Sequence, residues 1–104
     1  MITYIVDVRV PVSRVDEWVD YMTNGHIADV VATGYFISGT LARVRDPQEH
    51  DVAMFRVSYQ CVSEEHLAAY RTQAAPALQA HHTALFGTDV VAVRTVTEDL
   101  WSTR

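Results

Sequence analysis

The 104-residue chain has no lysine, and all eight of its basic residues are arginine. Schiff-base chemistry on a lysine amine is therefore excluded. A single cysteine, Cys61, cannot form an internal disulfide and cannot build a cysteine-rich metal module, so a reducing cytoplasm is the expected compartment. The net charge is −5 with no cluster of basic residues, which argues against a nucleic-acid or anionic-membrane partner. No apolar run approaches the roughly 18 residues of a membrane span. Met1 leads directly into a strand-like run, so no signal peptide is expected. Internal repeats, low-complexity tracts and linkers are missing. So are a glycine-rich phosphate loop, a Ser-His-Asp signature and a metal-ligand spacing, and neither cofactor nor metal is expected.

What is present is 49% apolar sequence, enough for a core without covalent staples. The length fits one domain over residues 1–104. A domain of this size leaves much of its surface unburied, so pairing of chains is a natural way to cover more.

Residues 2–10 alternate, with Ile2, Tyr4, Val6, Val8 and Val10 forming one apolar face, as in a half-buried strand closed by Pro11. Ser13 is positioned as an N-cap before Asp16 and Glu17. Val15, Trp18, Val19 and Met22 then recur at helical spacing over residues 13–23, and Asn24-Gly25 is expected to end that helix. Residues 26–32 read as further helical turns. Tyr35 to Arg45 and Val52 to Cys61 read as two strands of a hairpin, with a polar turn beginning at Asp46-Pro47. Ser63 caps a second helix whose expected buried face is Leu67, Tyr70, Ala74, Ala77, Leu78, His81 and Leu85. Pro76 is placed to kink or split it. Gly87 ends it, and residues 89–97 form the last strand. The order β-α-β-β-α-β predicts an α+β, ferredoxin-like subunit with a four-stranded antiparallel sheet and both helices on one face. The other sheet face is expected to be apolar on its inner strands and to pair with a second copy, closing a barrel.

The joint 24-NGHIADVVATGYF-36 concentrates polar residues where the chain turns from helix to strand. If the helix resumes in phase, Trp18, Met22 and His26 share one stripe facing the sheet. An imidazole there suits a general base or a hydrogen-bond donor near neutral pH, and Asp29, one turn on, would fix its tautomer. The plainer reading is a histidine that caps the broken helix through backbone carbonyls. His81 is expected on the inner helix face and His82 about 100° away, so the two do not converge on one metal ion. Arg56, mid-strand, either anchors a ligand carboxylate or enolate, or forms an inter-strand or dimer-interface ion pair, on a face that Asp7 or Arg9 and Arg94 would share. Trp18, Met22, Tyr35, Tyr59, His82 and Phe86 are the candidates to line a ligand cavity. Cys61 has no base or motif beside it and is not expected to be a nucleophile.

Several segments together resemble one small bacterial family. They are Ile2-Thr3-Tyr4-x-Val6, the block Trp18-xxx-Met22-xxx-His26-Ile27-x-Asp29-Val30-Val31-Ala32-Thr33-Gly34-x-Phe36, Arg56-xx-Tyr59, Tyr70-xxxxx-Pro76-x-Leu78, Leu85-Phe86-Gly87 and Val91-xx-Arg94. The family is a domain of unknown function within the dimeric α+β barrel superfamily, and the similarity covers nearly the whole chain. The resemblance implies the ferredoxin-like fold and a homodimer. By analogy with the superfamily's cofactor-free monooxygenases, isomerases and cyclases, it also implies a flat apolar ligand between sheet and helices. The His81-His82 pair departs from the family pattern.

These readings combine into an expectation of a small cofactor-independent enzyme. His26 would move a proton on a hydrophobic carbonyl-containing or aromatic metabolite, Asp29 would orient it, and His81 or Arg56 would stabilise developing charge. The alternative is a binding or accessory dimer with no chemistry, its interior filled by Trp18, Met22, Tyr35 and Phe86. A cavity touching His26 favours the enzyme, and a filled interior favours the module.

Overall fold

The structure, a computed structural model, describes residues 1–45 and 49–103. Eight regular elements follow in the order β1 (Ile2–Pro11), α1 (Val15–Tyr21), α2 (Ile27–Ala32), β2 (Ser38–Arg43), β3 (Val52–Cys61), α3 (Glu64–Gln73), α4 (Ala75–Phe86) and β4 (Val91–Glu98). The four strands form one antiparallel sheet in the order β2-β3-β1-β4. This is the expected α+β, ferredoxin-like arrangement. No helix among the described residues is long and apolar enough to cross a membrane.

The period-2 pattern of β1 sets which side of the sheet is dry. Ile2, Tyr4, Val8 and Val10 are buried beneath the helices. The register places Tyr59, Val57, Phe55 and Ala53 of β3 beside Tyr4, Val6, Val8 and Val10, so two alternating strands share one core face. Trp18 of α1, Val30 of α2 and Met22 between them close the core on one side, and Leu67, Tyr70, Ala75 and Phe86 close it from α3 and α4. Gly39 of β2 lets α2 approach the sheet, because a Cβ there would lie 2.8 Å from Ile27 Cγ2 and 3.1 Å from the Tyr59 ring. Cys61 is buried, its thiol directed at the Ser63 carbonyl 3.1 Å away.

Several local expectations change. Ser13 lies inside a 3-10 turn (Val12–Arg14), and α1 begins one residue after Arg14 without a side-chain cap. Arg14 instead bonds to Glu17 at 2.7 Å and donates to the carbonyls of Leu85 and Phe86. It thereby satisfies orphan groups at the end of α4. Asn24-Gly25 does not end the helix. The chain passes through a π-helical turn (Met22–His26), where the Ile27 N–H bonds to the Met22 carbonyl five residues back. β2 starts at Ser38 rather than Tyr35, and β4 spans Val91–Glu98 rather than 89–97. The expected turn at Asp46-Pro47 lies outside the described residues.

Pro76 splits the second helix. Ala74 is the break, and Pro76 sits in the first turn of α4, where its missing N–H costs nothing. The break rotates the buried face by one residue. Ala75, Leu78, His82 and Phe86 turn inward, while Ala77, His81 and Leu85 are exposed.

The open face of the sheet is also less apolar on its inner strands than expected. β1 and β3 present Thr3, Ile5, Asp7 and Arg9 beside Gln60, Ser58, Arg56 and Met54. Asp7 and Arg56 form an ion pair at 2.7 Å in the middle. Exposed apolar side chains on this face lie on β4, at Val91 and Val93.

Candidate functional site: a histidine-lined cavity between sheet and helices

A cavity of about 240 Å³ opens between the sheet and the helices. Its floor is the dry face of the sheet, with Tyr4, Val6 and Val8 of β1, Val57 and Tyr59 of β3, and Ala92 and Arg94 of β4. Its roof is Trp18, Met22, His26 and Val30 on one side and Leu78, Gln79, His82 and Thr83 on the other. Tyr70 contributes at the α3 end. Apolar residues outnumber polar ones in the lining, but the polar groups hold more than half of the exposed wall, so a ligand there meets both kinds of surface.

The polar groups are linked. Trp18 Nε1–H donates to His82 Nε2 at 2.9 Å. In its neutral form His82 must then carry its proton on Nδ1, so one hydrogen bond sets its tautomer. Burial first, and then His26, Arg94 and His81, push the His82 pKa down to about 4. The ring is thus neutral at physiological pH and can act as a donor without being an acid. His26 is also held below the ordinary histidine value, chiefly by burial, with Asp29 opposing the shift and His81 adding to it. It is therefore available as a base. Arg94 reaches the same space from β4, and among the described residues it forms no ion pair. Burial drives the Tyr59 hydroxyl up and the Tyr70 hydroxyl up to about 12, against an opposing pull from Arg94 on Tyr70. Both keep their protons and serve as walls or donors.

Tyr21 connects the histidines. Its hydroxyl lies 3.1 Å from His26 Nδ1 and 2.8 Å from His81 Nδ1. Its ring stacks on both imidazoles, with centroids 5.2 and 5.7 Å apart. The π-helical turn makes this possible. Residues five apart point about 140° away from each other on an α-helix, whereas a wider turn brings Tyr21 and His26 onto one side.

The expected site residues divide into four groups. Trp18, Met22, His26, Tyr59 and His82 line the cavity. Asp29 and His81 do not; they border a more open outer depression with Asp20, Tyr21, Asn24 and Gly25, and His26 lies between the two spaces. The hydrogen-bond partner of His26 Nδ1 is therefore Tyr21 and not Asp29, which is exposed. Tyr35 and Phe86 pack beside the site without lining it. The Tyr35 hydroxyl donates to Gln73 Oε1 at 2.8 Å, and Phe86 stands 5.1 Å behind the His82 ring. Arg56 is on the open face, bonded to Asp7 at 2.7 Å, so the sheet separates it from His26. The inter-strand ion pair considered for it is what the structure contains.

Sequence reasoning missed Tyr21 and assigned Arg94 to the wrong face. Tyr21 stands three residues after Trp18, about 60° away on an α-helix, but α-helical spacing would point it about 140° from His26. Arg94 is aligned with Val6 by the β1–β4 register, so it shares the dry face, whereas Val91 and Val93 take the open one. Strand alternation alone would have located Arg94 had the register been known.

Among solved structures, the chain is similar to an ethyl tert-butyl ether d (EthD) family protein from Bacillus halodurans C-125. The two are 14% identical with a TM-score of 0.65, over 96% of this chain and 100% of the other. At that identity the likeness establishes the fold. No curated protein sequence matches the chain. Residues 1–100 match a family described as a domain of unknown function, DUF4286, and the chain belongs to that family.

Proposed function

We propose that the chain is a cofactor-independent enzyme that moves a proton on a small hydrophobic carbonyl compound held in the cavity. The observation that carries this reading is the pairing, in one space between sheet and helices, of an imidazole that burial holds below its ordinary pKa, His26, with a neutral donor, His82, and an arginine, Arg94. An engineered cavity of about 150 Å³ holds benzene, so about 240 Å³ suits one ring with an acyl substituent, or a short-chain equivalent.

The chemistry assigns each group one task. His26 takes a proton from the carbon beside the carbonyl. The C–H electron pair becomes the enolate, whose oxygen His82 Nδ1–H and Arg94 hold. Return of the proton to another carbon gives isomerisation, and attack of the enolate on a second carbonyl gives cyclisation. Attack on dioxygen would give monooxygenase-like tailoring. Asp29 and His81 act from outside the cavity, and Arg56 has no part in this scheme.

The test is solvent-deuterium incorporation by a panel of monocyclic aryl ketones and short β-keto compounds, followed by NMR. The wild-type chain should accelerate exchange at the carbon beside the carbonyl. His26→Gln should lose about 100-fold or more of that acceleration. An unchanged rate in the variant would remove His26 as the base and favour a binding module instead.

We also propose a homodimer of the dimeric α+β barrel type, paired across the open sheet face. The exposed Val91 and Val93 of β4, with Leu100 and Trp101 just beyond it, support this reading.

A further inference from the structure

We infer that Tyr21 and His81 form a proton conduit between the cavity face of His26 and solvent. The inference rests on the proton-transfer reading of His26 and adds to it a route by which the charge leaves.

The geometry is a three-member chain, His26 Nδ1, Tyr21 hydroxyl and His81 Nδ1, with links of 3.1 and 2.8 Å. A hydroxyl has one proton. When both rings are neutral, one imidazole must therefore donate its Nδ1–H to the tyrosine oxygen while the tyrosine donates to the other. The chain thus has two neutral orientations, and passing from one to the other takes a shift of two protons along the hydrogen bonds together with gain of a proton at one Nε2 and loss of a proton at the other.

This shift exports charge. When His26 takes a substrate proton on Nε2 it becomes an imidazolium. Its Nδ1 proton passes to the Tyr21 oxygen as the Tyr21 proton passes to His81 Nδ1. His26 is left neutral with the substrate proton still on Nε2, and His81 carries the positive charge. His81, exposed on the outer side of α4, then gives its Nε2 proton to water. The reverse sequence recharges His26 so that it can return the Nε2 proton to product. No oxidant or other reactant is needed.

The two ends of the chain differ in exposure. His26 is held below the ordinary histidine value chiefly by burial, with Asp29 opposing the shift, whereas His81 is exposed in the outer depression, where water can take its proton. The adjacent histidines of α4 have different tasks: His82 is pinned to Trp18 inside, and His81 is bonded to Tyr21 outside.

The test uses the ligand-free, isotopically labelled protein and reads exchange between water and the His26 ring N–H by NMR. Tyr21→Phe keeps the stacked ring and removes the hydroxyl. His81→Ala leaves the Tyr21–His26 bond in place, and serves alone if the tyrosine variant does not fold. Exchange at His26 should slow roughly 10-fold or more in each variant. Exchange at the His82 ring N–H, which shares the cavity but not the chain, should stay within roughly twofold. Wild-type exchange at His26 in either variant overturns the conduit. Equal slowing at His82 also overturns it, since that reports general closure of the cavity. No substrate enters this measurement, so its failure is separate from failure of the His26→Gln turnover test.

Discussion

At the residue scale, the Trp18–His82 bond carries both packing and electrostatics. Trp18 is 0% exposed and packs 4.9 Å from the Phe55 ring. Trp18→Phe should cost about 2 kcal/mol through a small cavity and a lost hydrogen bond. It should also release His82 to the other tautomer, visible in its ring 15N shifts. His82 further makes stability depend on pH. Its folded pKa of about 4 lies below the ordinary 6.5, so between those values the unfolded chain binds the extra proton. Folding stability should therefore fall as pH drops from about 6.5 towards about 4 and level off below. Allowing for partial solvent contact, the loss is on the order of 1 to 2 kcal/mol. Denaturant unfolding of wild type and His82→Gln across that range measures it; the variant should lack this share of the slope. His82 was an expected lining residue, but its neutral state depends on burial that no spacing reveals.

At the scale of elements, two irregularities decide which side chains meet. The π-helical turn turns Tyr21 and His26 to one side, and the break at Ala74 turns His82 in and His81 out. Both were only half visible. Asn24-Gly25 and Pro76 announce a disturbance, but the same residues suit a helix stop, a kink or a wider turn, which differ by about 100° in the phase of everything that follows. Deleting Gly25 should turn the wide turn into an α-helical one, cost about 1 to 2 kcal/mol, and leave Tyr21 and His26 on one side, now four residues apart. The His26 pKa, held low chiefly by burial, should therefore stay below the ordinary value in an NMR titration while far-ultraviolet circular dichroism stays nearly unchanged.

At the scale of the whole molecule, the proposed pairing follows from what the fold leaves uncovered. Val93 is 60% exposed on β4, and Leu100 and Trp101 beyond it are 89% and 82% exposed. On the proposed dimer, the wild-type chain should sediment as two copies at micromolar concentration. Val93→Asp should weaken association by roughly 2 kcal/mol or more, since an unpaired carboxylate would enter the interface. A wild-type monomer would remove the pairing without touching the cavity, which one chain builds entirely from its own residues.

The linear order of residues was enough for the architecture. Alternation in β1 and β3, helical spacing from Val15 and from Leu67, and the Ser63 cap are local signals, and the order of the elements then admits few sheets. Local spacing also placed Trp18, Met22 and His26 on one stripe. The partners of those residues came from tertiary structure alone. Strand register moved Arg94 to the dry face and left Arg56 with Asp7 on the other. Helix phase exchanged the expected positions of His81 and His82 and brought Tyr21 into the chain of hydrogen bonds. Register and phase are set by how whole faces pack, and a shift of one residue in either reverses which side of the sheet or helix a side chain occupies.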